Sequence, residues 1–243
     1  MMIALLFAAA VSRTPIVELS WVPRGLALAS QFEPFGRFPR FVLYDDGTVI
    51  YFDESSSELL TAKTKPKKVL DDLTALGFDR IDSYEEECEQ ATGGSTQCVS
   101  DAATSVITVR RPGQPPRTLR NYYNFANNPN ALAAIRDYLT NFTAPGATRY
   151  LPKQAVLIVD DVHVPNGEPV AWPLLAALLD VPKQGWPVVL NAAQTKRLVA
   201  ALGSNTGSFR VKSGGKTHGV ELVPWMPGGD YTKDVEAYRK TLK

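Results

Sequence analysis

Two histidines, His163 and His218, are all the chain carries in 243 residues. They bound its acid–base chemistry, because imidazole is the side chain that titrates near neutrality. His163 stands in the run Asp160-Asp161-Val162-His163-Val164. If that run is extended, alternation puts Asp161 and His163 on one face. A carboxylate and an imidazole so placed can hold a divalent cation or work as an acid–base pair. His218, from a later segment, would complete a three-ligand set. Asp161, His163 and His218 are therefore the candidate metal ligands of a metal-dependent hydrolase. Nothing in the spacing strengthens this pattern, which strands commonly carry by chance. The sequence assigns no catalytic residue, no metal and no cofactor beyond those three candidates.

Other motifs resolve into turns. Ser213-Gly214-Gly215-Lys216-Thr217 resembles the end of a phosphate-binding loop, but Arg210 stands where G-x-x-x-x-G-K-[ST] needs its first glycine. Its flanks read strand–turn–strand, so a hairpin turn is expected. No G-x-S-x-G, G-x-G-x-x-G or H-E-x-x-H pattern occurs. The carboxylate pairs Asp45-Asp46, Asp53-Glu54, Asp71-Asp72 and Asp160-Asp161 point to opposite faces wherever the backbone is extended, so they do not converge on one substrate.

The two cysteines, Cys88 and Cys98, bracket a Gly/Ser/Thr-rich loop. A disulfide between them closes that loop without strain and on the chain-entropy model stabilises by about 3 kcal/mol. Two ligands are too few for structural zinc, and a disulfide implies an oxidising compartment. Two unrelated buried thiols are the alternative. The run Met1–Val11 is apolar throughout and too short for a bilayer, which needs about 20 residues. It reads as a signal peptide over residues 1–12, with Ala8–Ala10 at the cleavage site. A buried first strand is the alternative. No cysteine follows the run to carry a lipid.

Elements that would position these residues follow from periodicity. Phe41–Phe52 is a hairpin around Asp45-Asp46-Gly47, one face of it buried. Gly25–Ser30 reads as a further strand, and Gln31–Arg40 as a loop. Lys67–Leu76 is an amphipathic helix stopped by Gly77. Ser105–Arg110 and Arg117–Tyr123 form a second hairpin, followed by a helix from Asn130. Thr143–Pro152 is a boundary rich in proline and small residues. Beyond it come a strand at Ala155–Val164, an apolar segment at Trp172–Pro182 and a helix capped by Asn191. A hairpin at Ser208–Val223 and a final helix complete the chain. Trp21, Trp172, Trp186 and Trp225 read as caps on small cores beside turns, with an exposed aromatic binding surface as the alternative.

The hairpin FVLYDDGTVIYF, the helix KKVLDDLTAL and the strand SVITV together resemble a family of uncharacterised exported bacterial proteins with an xFxLYxDGTVxY hairpin. The resemblance covers about 38–139, with an echo at VELVPWMPGG. It implies an exported protein and carries no assigned reaction. Members often have a lipid-attached cysteine after the signal, which this chain lacks.

The expected fold is α+β. Two similar units, 13–145 with the disulfide loop and 150–243, each pack helices on a small antiparallel sheet, and the second is a possible repeat of the first. A formal net charge of +1 offers no field for nucleic acid or anionic lipid. The expected protein is exported, non-catalytic, without a transmembrane segment in its mature chain, and binds another protein or a small ligand.

Overall fold

The computed structural model describes residues 13–23, 39–81, 89–90, 96–97, 103–122, 130–161, 165–182, 185–228 and 232–241. The expected signal peptide 1–12, the expected strand 25–30, Cys88, Cys98 and His163 lie outside the described residues.

The first half is built from β1 (Pro15–Pro23), β2 (Pro39–Tyr44), β3 (Thr48–Asp53) and β4 (Glu58–Lys63). Helix α1 (Pro66–Ala75) follows, then the short ladder of β5 (Glu89–Gln90) with β6 (Thr96–Gln97). Next come β7 (Ala103–Val109), β8 (Arg117–Tyr122), helix α2 (Asn130–Thr140) and β9 (Thr148–Arg149). Seven strands join in the order β8-β7-β1-β2-β3-β4-β9, every pair antiparallel. β9 pairs with the edge of β4, so the first sheet extends into the expected boundary.

Turn chemistry fixes the central hairpin. Gly47 has φ +78°, and a Cβ there would meet the Thr64 carbonyl oxygen at 2.5 Å. Asp46 braces the same turn, accepting from the Thr48 N–H at 2.8 Å and its hydroxyl at 3.0 Å. Alternation then sends Phe41, Leu43, Val49 and Tyr51 toward α1 and α2, where Val69, Leu73, Leu132 and Ile135 cover them. Val42, Tyr44, Ile50 and Leu59 point the other way, onto Met226 of the second half. The expectation of one buried hairpin face is thus corrected: Phe41 to Tyr44 are each no more than 2% exposed. A strand covered on both sides has no polar face to reveal its period.

The second half contains β10 (Ala155–Val159), β11 (Val170–Ala171), a single 3-10 turn at Ala176–Leu178 and β12 (Pro187–Leu190). It continues with helix α3 (Ala192–Leu202), β13 (Gly207–Ser213), β14 (Lys216–Pro224) and helix α4 (Thr232–Thr241). The strand order is β11-β13-β14-β10-β12, antiparallel except for the β11–β13 pair. Leu198 and Val199 of α3 pack on one face, against Leu157, Leu190 and Val211. Val235 and Tyr238 of α4 pack on the other, against Val156, Ile158 and Trp225.

The molecule is thus a mixed α+β protein of two main sheets. Both halves run strand, helix, hairpin, helix, but their threading differs. The hairpin's first strand is the inner one in the first sheet, its second strand in the other. Among the described residues, no helix is long and apolar enough to cross a membrane.

Candidate functional site

Where the halves meet, a cavity of about 640 Å³ opens between the first sheet and the α3–β13 turn, a size ordinary for small-ligand sites. The first half lends Trp21, Arg40 and Phe52, from neighbouring strands β1, β2 and β3. The register of β1 on β2 slips between Leu19 and Ser20, a local irregularity of the kind that re-aims side chains. The guanidinium carbon of Arg40 lies 4.4 Å from the ring centre of Trp21 and 4.2 Å from that of Phe52. Each such contact contributes roughly 0.5–2 kcal/mol, more where water is excluded. Among the described residues, Arg40 makes one hydrogen bond, from Nη1 to Glu54 Oε1 at 3.0 Å. Its side chain is 23% exposed, and burial pulls its pKa down against the pull of Glu54.

The turn between β3 and β4 forms the rim. Asp53 Oδ2 accepts from Ser55 Oγ, Ser56 N–H and Ser56 Oγ at 2.7, 3.0 and 2.6 Å. Those bonds from Ser56 and Ser55 hold the Asp53 carboxyl below its ordinary value. They also set Ser57, which lines the cavity, in the left-handed region at φ 54°, the one non-glycine there among the described residues. Such a conformation costs a serine about 1–2 kcal/mol and persists where the surroundings over-determine it, a frequent mark of functional turns. Glu58, also at the wall, is held by Arg149, whose Nε donates to Oε2 at 3.0 Å.

The second half supplies the opposite wall: Leu202 and Gly203 at the end of α3, and Gly207, Ser208 and Phe209 of β13. α3 ends here because Gly203 takes φ +73°, its N–H closing on Val199 O. Its start is fixed by a reciprocal cap, in which Asn191 Oδ1 accepts from Gln194 N–H at 3.0 Å and Gln194 Oε1 accepts from Asn191 N–H at 2.9 Å. Between the lining residues Ser204 and Thr206, Asn205 turns into the first half and is fully buried. It accepts from Leu59 N–H at 3.0 Å and donates to the carbonyls of Leu59 and Tyr150 at 2.8 and 2.7 Å.

Of the residues singled out in the sequence, Asp161 and His218 come together. β10 pairs with β14 at Val159↔Val220, and that register carried on brings Asp161 opposite His218. Nδ1 of His218 lies 3.1 Å from both carboxylate oxygens. With His163 outside the described residues, the pair is a dyad. Among the described residues no three His, Cys, Asp or Glu side chains gather as a metal site. Neither Asp161 nor His218 lines the cavity. Ser213–Thr217 is a hairpin turn, as expected, with Gly214 and Gly215 at φ 56° and 81°.

The tryptophans divide. Trp225 is buried in the core under α4, Trp172 packs beside the α3 core, and Trp186 lies under the Arg239 guanidinium at 5.6 Å. Trp21 alone of the four lines the cavity. Sequence reasoning missed Arg40, Phe52, Ser57 and Phe209 as a group. The sequence reads Arg40 as the end of a loop, whereas it lies on β2, and no local pattern links it to Phe209 across the chain.

The fold and cavity define a two-part α+β protein with an aromatic-walled cleft between its parts. Compared with known proteins, the chain matches no family model, no curated protein and no solved structure.

Proposed function

We propose that this chain is an exported, non-catalytic binding protein that takes a small ligand into the cleft between its halves. The observation that carries the reading is the Trp21–Arg40–Phe52 stack facing a cavity of about 640 Å³. An apolar wall with few oriented polar groups is what small-molecule sites share. Export is part of the proposal, supported by the apolar run at 1–11 and the cysteine pair. A Cys88–Cys98 bridge gains support from the ladder between them, where Glu89 faces Gln97. The likeness of the two halves belongs here too, supported by their shared order of elements.

The test is mass spectrometry of what the native protein carries. Ser208→Trp, which fills the cavity from β13, is expected to release a small molecule that the wild type retains. Equal cargo in both, or none in either, overturns the reading. Intact mass before and after reduction tests export: loss of about the first twelve residues and two blocked cysteines are expected. An uncleaved chain with free thiols overturns it.

The alternative is a metal-dependent hydrolase using Asp161, His163 and His218, favoured by the 3.1 Å approach of Asp161 to His218. Zinc titration decides it. Stoichiometric binding lost in His218→Ala would support that reading, and its absence would remove it.

A further inference from the structure

Resting on the cleft reading above, we propose that the ligand is a small organic monocarboxylate with an apolar body, bound edge-on by Arg40. The rings of Trp21 and Phe52 both lie against the guanidinium, their centres 4.4 and 4.2 Å from its carbon. What Arg40 can offer the cavity is therefore its in-plane N–H edge. Nη1 is engaged by Glu54, which leaves the Nε/Nη2 side as a two-pronged donor. Two parallel N–H groups match the two oxygens of a carboxylate, and the planar fork is costly to satisfy with a single acceptor. A partly buried guanidinium edge with no acceptor among the described residues carries a desolvation cost that such a ligand removes.

The opposite wall sets the rest of the ligand. Leu202 and Phe209 present apolar surface, which suits a hydrocarbon or aryl body. α3 ends there at Leu202, and the carboxyl end of a helix carries partial negative charge. Glu58 adds a carboxylate already matched by Arg149. A dianion such as phosphate would face one arginine edge and this electronegative wall, so a single negative charge at one end of the ligand fits best.

The experiment is calorimetric titration of the full chain with phenylacetate, phenylacetamide and inorganic phosphate. Phenylacetate is expected to bind at one site, with the amide and phosphate at least about tenfold weaker. Arg40→Lys keeps the charge and stem but loses the fork, and should weaken phenylacetate about tenfold. Arg40→Gln should bring acid and amide to the same level, and Ser208→Trp should abolish both. Equal binding of acid and amide, both lost in Ser208→Trp, overturns the carboxylate while the cleft reading stands. Binding of none of the probes, with native cargo still released by Ser208→Trp, does the same. No probe bound and no such cargo overturns both.

Discussion

Asn205 enters the first sheet as though it were a strand residue, its carboxamide pairing with both backbone groups of Leu59, at 3.0 Å from the N–H and 2.8 Å to the C=O. A primary amide has the same donor and acceptor as a peptide, so it can extend a ladder from a side chain. Its second N–H reaches the Tyr150 carbonyl at 2.7 Å. The two halves are thus joined by polar pairing that is buried, and buried hydrogen bonds hold their geometry because losing them is expensive.

Asn205→Ala removes all three bonds at a fully buried position. The expected loss is about 3 kcal/mol in urea unfolding, at roughly 1 kcal/mol or more per buried group left without its partner. Asn205→Asp should be no better at neutral pH, since its carboxylate would face two carbonyl oxygens. A change under about 0.5 kcal/mol in both variants would show that the clamp contributes nothing.

Gly47→Ala should cost at least about 2 kcal/mol, because left-handed strain adds to the 2.5 Å approach of its Cβ to Thr64 O. Gly215→Ala is the control. It shares a positive φ but has nothing within 4 Å of its Cβ, so only about 1 kcal/mol of strain remains. Thermal melts of the two variants should differ, and equal melting temperatures would remove the steric part of the argument.

Asp46 ties acid stability to the central hairpin. Burial alone would raise its carboxyl, but the bonds from Thr48 and Lys63, with Arg13 beside it, hold it down at about 2. A folded pKa below the unfolded one makes the contribution present above the unfolded value, about 3.9, and lost as pH falls through the folded value. Acid titration of stability should therefore be shallower between about pH 4 and pH 2 in Asp46→Asn than in the wild type. Parallel curves would contradict this.

Glu221 has the opposite sign. Burial first, and then the charge of Asp160, push its carboxyl up. A raised folded pKa favours the folded state below the unfolded value, and that contribution is lost as pH rises through the folded one. Glu221→Gln should raise the melting temperature at about pH 8 and leave it unchanged near pH 4. Tyr238, on the same face, is pushed up to about 12 by burial and by Asp160 and Glu221, and the variant should lower it. Equal effects at both pH values would mean that Glu221 acts through packing alone.

Much of the fold was legible because its signals are local. Asp45-Asp46-Gly47, the Val69/Leu73 spacing, Asn191 with Gly203, and Gly214-Gly215 each specify one conformation over a few residues, and each occurs where expected. β4 is short and follows the Asp53–Ser57 turn, whose serines fix no register from sequence alone, and β1 lies between prolines that read as breaks. The cavity was illegible for a different reason. Arg40 and Phe209 meet only through the packing of one sheet on the other half, and nothing at either position announces the partner. Asp161 and His218 were paired as chemistry, yet the β10–β14 register that joins them is a property of the sheet.

β1 carries a consequence for the order of events during synthesis. It stands inside the first sheet, with Val17 beside Leu43 on one side and Val109 on the other. The first of the described strands to be made must therefore wait for a partner about 90 residues downstream, roughly 5–20 s at ordinary elongation rates. Until then its apolar face, Val17 and Leu19, has no second neighbour to complete the sheet. A nascent chain of this kind cannot close its first sheet until β7 has been made, so β1 to β4 form an open sheet edge for that interval.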